Sequence, residues 1–154
     1  MLMLSNLIQV ILFIIGSILI IYAGKQDEQT RNPYLLIPAL ISIGLSAGFI
    51  TGTIIALASI IIFFLPEKIN KIIGKADLLL FYSLLTIIIL NQNLLLTLII
   101  FSTQCITLFM LIINKNKEKQ MPLIHYYARA YATTIIITFG LAIGLILGVL
   151  PHGF

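Results

Sequence analysis

Charge is what this sequence has least of. Only 9% of its 154 residues are Asp, Glu, Lys or Arg, against 60% hydrophobic, and the mean hydropathy is +1.16. Such a balance leaves no room for a water-filled soluble domain and places the chain among integral membrane proteins. Every charged residue falls in one of three short windows, Lys25 to Arg31, Glu67 to Asp77 and Lys115 to Arg129. The net charge of +4 thus belongs to loops beside a membrane. A nucleic-acid partner would need a broad basic face, which the chain lacks. Cysteine is almost as scarce. Cys105 stands alone in FSTQCITLF, which excludes an internal disulfide and a cysteine-ligated zinc site, and it is expected as a small buried side chain. The two histidines, His125 and His152, show no histidine–acid spacing of a metal site, so no metal or cofactor is expected.

The first apolar run also lacks the positive residues that open a signal peptide, since Lys25 follows it, and a retained span is expected. What remains is apolar sequence cut by polar loops. An all-α fold with six transmembrane helices in a single domain follows, at about 4–23, 34–48, 51–65, 78–90, 94–113 and 131–150. The uncharged stretch from Tyr34 to Pro66 is divided as a hairpin near Gly48, because one long helix would put the Lys25 and Lys68 windows on opposite sides. Asn91-Gln92-Asn93 separates the fourth span from the fifth. Gly140, Gly144 and Gly148 recur at helical spacing in the sixth, as on a helix-packing face. With this topology every Lys and Arg lies on the cytoplasmic side and both termini lie outside.

That arrangement brings two acids to one depth. Asp77 opens the fourth apolar segment, where a carboxylate is costly, and Asp27 lies just past the inner end of the first. If the first and fourth helices pack together, the two share a site. Close carboxylates cannot both ionise cheaply, so one keeps a proton while the other activates water, and the pair titrates as a unit. Each acid also has a plainer use: Asp77 as an N-cap, and Asp27 as a solvated loop charge beside Lys25, Glu28 and Arg31. His125, among tyrosines at the inner interface, is expected as an anchor, and His152 lies on the opposite side. Ser and Thr have no paired histidine on the inner face, which disfavours serine-protease chemistry.

Three segments then carry a resemblance. They are Asp27-Glu28-Gln29-Thr30-Arg31-Asn32-Pro33, Gly74-Lys75-Ala76-Asp77 and Met121-Pro122-Leu123-Ile124-His125. In order and spacing the chain resembles the prepilin and preflagellin peptidase family, intramembrane aspartic proteases of the GxGD type. That family commonly shows D-x-x-x-R-x-I-P-N after the first helix, G-x-G-D or G-x-A-D at the fourth, and approximately I-P-F-x-P before the last. The resemblance implies Asp27 and Asp77 as catalytic residues, supported by Gly74, Ala76, Pro33 and Pro122. It departs at Pro33, one residue early, at Tyr34 for Asn, at Ala76 for the second glycine, at Leu79 for a common lysine, and at His125 for a second proline.

The implied function is a membrane-embedded aspartic endopeptidase. It would remove the short basic leader from type IV pilin-like or archaellin-like precursors at the cytoplasmic membrane face. The cysteine-rich loop of the bifunctional methylating members is missing, so a peptidase without N-methyltransferase activity is implied. Lys25, Arg31 and Lys75 are expected on lipid phosphates, while Glu28 and Glu118 are the better contacts for a basic leader. The alternative is a non-enzymatic small polytopic membrane protein, a transporter or an accessory subunit. A transporter would be expected to carry an ionisable residue near mid-membrane, and this sequence has none there.

Overall fold

The structure, a computed structural model, describes residues 2–30, 33–64, 74–90, 94–114 and 123–146. Six helices account for nearly all of them: α1 (Leu2–Thr30), α2 (Leu36–Ala47), α3 (Phe49–Phe63), α4 (Lys75–Leu90), α5 (Leu94–Asn114) and α6 (Leu123–Ile146). No strand occurs among the described residues. Three of the five breaks contain Pro33, Gly48 or Gly74.

Helix α1 does not stop where its apolar sequence ends. It continues through Gly24 to Thr30, because Lys25, Gln26, Glu28 and Gln29 are good helix formers and nothing before Pro33 opposes them. Asp27 is therefore part of the helix and not of a loop beyond it. The turn between α2 and α3 is one residue, Gly48, at φ +158°. Its amide donates to the Gly44 carbonyl at 3.0 Å, and its own carbonyl accepts from the Gly52 amide at 3.0 Å. Gly44 and Gly52 face each other beside it. A Cβ on Gly52 would stand 2.8 Å from the Leu45 nitrogen, and one on Gly44 would stand 3.1 Å from the Gly52 Cα. Glycine is needed at all three positions, once for backbone freedom and twice for close approach.

Small residues also set the neighbours of α1. A Cβ on Gly16 would lie 3.0 Å from the Ala39 carbonyl of α2, and one on Gly24 would overlap Ala128 Cβ of α6. Helix α1 is thus seated between α2 and α6. The second seam is reinforced by Tyr131, whose hydroxyl donates to Ser17 Oγ at 2.9 Å while Ser17 donates to the Phe13 carbonyl at 2.7 Å. Beyond these pairs α2 packs on α3, α3 on α4 and α5 on α6, with lighter contacts of α4 on α2, α5 and α6. Ile20, Leu40, Ile87, Ile100, Tyr127 and Tyr131 meet in one common core.

The outer surface is rich in large apolar side chains. Leu7, Ile14, Ile61, Phe63, Phe101 and Ile112 are exposed, whereas Ser17, Ser59, Thr103 and Thr107 are buried. Three of the buried hydroxyls are satisfied locally, with Ser59, Thr103 and Thr107 each donating to the carbonyl one turn back at 2.7–2.8 Å, whereas Ser83 Oγ and the Tyr127 hydroxyl are buried without a partner among the described residues. Among the described residues one helix, α1 over Asn6–Thr30, is long and apolar enough to cross a membrane by length and composition, and α2, α3 and Leu96–Met110 are shorter apolar stretches.

Two expectations are corrected. Cys105 is exposed, because α5 packs mainly along one side and Cys105 shares the open side with Phe101, Leu108 and Phe109. Gly140 meets nothing within 4 Å. The packing of α6 comes from Ile124, Tyr127, Ala128 and Tyr131 at its other end, where Ala128 and the tyrosines give both close approach and area. Gly144 lies in the last turn of α6, and Gly148 lies outside the described residues.

Candidate active site

The Gly74 to Asp77 segment is a helix start in which each residue has its own task. Gly74 precedes α4, and its carbonyl accepts the Leu78 amide at 3.0 Å. Lys75 reaches back to α3, where its Nζ donates to the Phe63 carbonyl at 2.9 Å and lies 6.0 Å from the Phe63 ring centroid. A cation at the last turn of a helix complements the carbonyls exposed there, so Lys75 ties the start of α4 to the end of α3. Ala76 packs on the core. Asp77 is in the first turn of α4 rather than at its cap. Its carboxylate bends back over Gly74, where a Cβ would lie 3.0 Å from Oδ2.

Asp27 sits in the last turns of α1 and is 7% exposed. Its Oδ2 accepts the His125 amide at 3.2 Å. That amide belongs to the first turn of α6, where backbone donors have no partner within the helix, and a carboxylate is well suited to take one. The preceding residue makes the same kind of contact on the other side, since Gln26 Oε1 accepts the Leu35 amide at 3.2 Å just before α2. Consecutive side chains at the end of α1 thus hold the starts of two neighbouring helices. Pro33 lies between, buried, with its carbonyl accepting the Leu36 amide at 3.1 Å.

His125 is buried rather than at a free interface. Its Nδ1 lies 3.3 Å from the Gly24 carbonyl and 3.4 Å from Glu28 Oε2. Both neighbours accept, so Nδ1 carries the proton and donates. Glu28 Oε1 is also 3.9 Å from Arg129 Nη2, a loose exposed pair of little energetic weight.

Burial pushes the Asp77 carboxyl above its ordinary 3.8, and the negative charge of Asp27 pushes it further the same way. The helix start works in the opposite direction, favouring the anion. The helix packing differs from the expected one. Helices α1 and α4 do not pack closely on each other; α2 and α6, which touch both, carry the acids to one end of the bundle. The reason is the seating of Gly16 and Gly24, which fills the flanks of α1 with α2 and α6. No family model, curated protein or solved structure matches the chain.

Of the residues singled out from sequence, Asp27, Asp77, Gly74 and Ala76 lie at this end of the bundle, and Pro33 shapes the adjoining turn. Pro122, Arg31 and Glu118 lie outside the described residues. Among the described residues no three His, Cys, Asp or Glu side chains gather as a metal ion would require. Gln26 and His125 were not singled out for the site. A signal for His125 was available: Pro122 announces a helix start, and free first-turn amides there invite a carboxylate from a neighbour.

The raised Asp77 value has a stability consequence with a definite sign. A carboxyl whose folded value lies above its unfolded one contributes stability that is fully present below about 3.8 and lost as pH rises through the folded value. Asp77→Asn removes that loss. Thermal unfolding in detergent from about pH 3 to pH 8 is expected to show the variant gaining on wild type as pH rises. Parallel curves would show that Asp77 is not strained.

Proposed function

We propose that the chain is a polytopic membrane protein, an aspartic endopeptidase that removes the basic leader from type IV pilin-like or archaellin-like precursors at the cytoplasmic membrane face. The membrane reading is supported by the apolar outer surface, far larger than soluble proteins display. It is supported also by Thr103 and Thr107, whose hydroxyls are satisfied inside their own helix, as hydrocarbon surroundings demand. The apolar lengths of all six helices are placed in the bilayer, with Asp27 and Asp77 outside its hydrocarbon at the inner face. The α2–α3 hairpin, 12 and 15 residues long, rises only about 18 and 22 Å against a core of about 30 Å, yet both its ends return to the same side.

The observation that carries the catalytic reading is the coupling of Asp77 to Asp27. Asp77, whose carboxyl is raised above its ordinary value, is the acid that protonates the leaving amine. Asp27, whose charge raises it, is the base that takes a proton from water. Glu28, half exposed one residue further on, is placed to meet a basic leader. Co-expression with a precursor, followed by mobility of its leader, tests this: the wild-type chain shortens the precursor at the leader boundary, and failure across pilin-like and archaellin-like precursors would reject the reading.

A second reading has one observation in its favour. Asp27 already serves as a cap for α6 through the His125 amide, which is sufficient reason for its presence in a non-enzymatic transporter or accessory subunit.

A further inference from the structure

The residue at which the chain departs from the family pattern before its last helix, His125, is the one that touches the helix carrying Asp27. Its backbone and side chain grip α1 at three successive places. The amide donates to Asp27 Oδ2 at 3.2 Å, and Nδ1 points between the Gly24 carbonyl at 3.3 Å and Glu28 Oε2 at 3.4 Å. The ring is buried and lies edge-to-face on Tyr126, with centroids 5.8 Å apart. Directly beside it α1 and α6 approach so closely that a Cβ on Gly24 would overlap Ala128 Cβ and lie 3.5 Å from the His125 Cα. The amide and the imidazole belong to one residue, so fixing the ring fixes the amide.

We propose that His125 is a positioning residue for Asp27: its imidazole, held by the Gly24 carbonyl and Glu28, keeps the first turn of α6 on α1 and the His125 amide on the Asp27 carboxylate. The role rests on the peptidase reading for its effect on turnover, but not for its geometry. A carboxylate held by one donor on one oxygen keeps the other oxygen free and aimed, and a loosened carboxylate loses that aim. Misplacement of a reacting group by about 1 Å costs up to about a hundredfold in rate. The imidazole itself meets no substrate and is not a catalytic residue.

Two variants separate the donor from the bulk. In His125→Asn the side-chain amide nitrogen stands where Nδ1 stood and donates to the same acceptors. In His125→Leu the branching is similar and the donor is gone. Two readouts follow each. In the first, precursor cleavage by His125→Leu falls about tenfold to a hundredfold in kcat with KM little changed, and His125→Asn recovers the larger part of the loss. In the second, the protein is labelled with aspartate carrying carbon-13 at the carboxyl. Asp27 and Asp77 are its only aspartates, so two resonances result, assigned by Asp27→Asn and Asp77→Asn. The Asp27 resonance moves in His125→Leu and returns toward its wild-type position in His125→Asn.

An unmoved Asp27 resonance in folded His125→Leu overturns the proposal, as does an asparagine variant that resembles the leucine one in both readouts. A wild-type protein that cleaves no precursor overturns the peptidase reading instead, and the resonance then decides the positioning role by itself.

Discussion

Asp27→Asn and Asp77→Asn are each expected to reduce leader cleavage by about 10²–10⁴-fold, with the protein still reaching the membrane at wild-type levels. Asparagine keeps the shape of each side chain and removes its ability to exchange a proton. The two variants differ in every other respect. Asp27→Asn retains an oxygen that accepts the His125 amide, so the cap on α6 persists and stability changes little. Asp77→Asn removes a charge that burial and Asp27 both oppose, so stability rises as activity disappears. Asp27→Ala completes the set. It leaves the buried His125 amide without an acceptor and costs about 1–3 kcal/mol in addition to activity. A precursor cleaved equally well by Asp27→Asn would leave only the capping role for Asp27.

Gly24→Val is expected to have the largest effect on stability. A Cβ at Gly24 would overlap Ala128 Cβ and stand 3.4 Å from the Ile124 carbonyl, so even one added carbon forces α1 and α6 apart. Overpacking of this kind costs about 1–3 kcal/mol or more, and here the parted helices are those that hold His125 against Asp27. Gly24→Val should therefore unfold at lower temperature and lose cleavage together. Because the obstacle is a single methyl group, Ala128→Gly should restore much of the stability of Gly24→Ala in the double variant. Thermal unfolding of the two single variants and the double one provides the check. Additive losses would mean that Gly24 and Ala128 are not the contact that sets the seam.

How much of this could be read from the residues follows from which interactions are local. Six helical segments, breaks at Gly48 and before Asp77, and acids at the ends of two helices all come from hydropathy and from where proline and glycine fall. The length of α1 did not come that way. Hydropathy marks where apolar sequence ends, near Ala23, whereas the helix ends at Thr30 because Lys25 to Gln29 are willing helix formers. That difference decides the site, since it turns Asp27 from a loop charge into a side chain with a fixed direction. The neighbours of α1 were hidden for another reason. Gly16 and Gly24 looked like ordinary small residues in an apolar run, and only their pairing with Ala39 and Ala128 shows that α2 and α6, not α4, lie against them. Spacing failed at Gly140, which has nothing within 4 Å to pack on. The role of His125 depends on a contact 98 positions away in the chain, which no local pattern carries.

Acid titration of the two aspartate carboxyls by carbon-13 resonance tests the central claim, the coupled pair, without requiring a substrate. The account predicts that Asp77 titrates above the ordinary 3.8 and moves back toward it in Asp27→Asn, since one of the two causes of its rise is then gone. An Asp77 carboxyl that titrates at the ordinary value, or whose titration is the same with and without the Asp27 charge, would contradict the pair and with it the proposed chemistry.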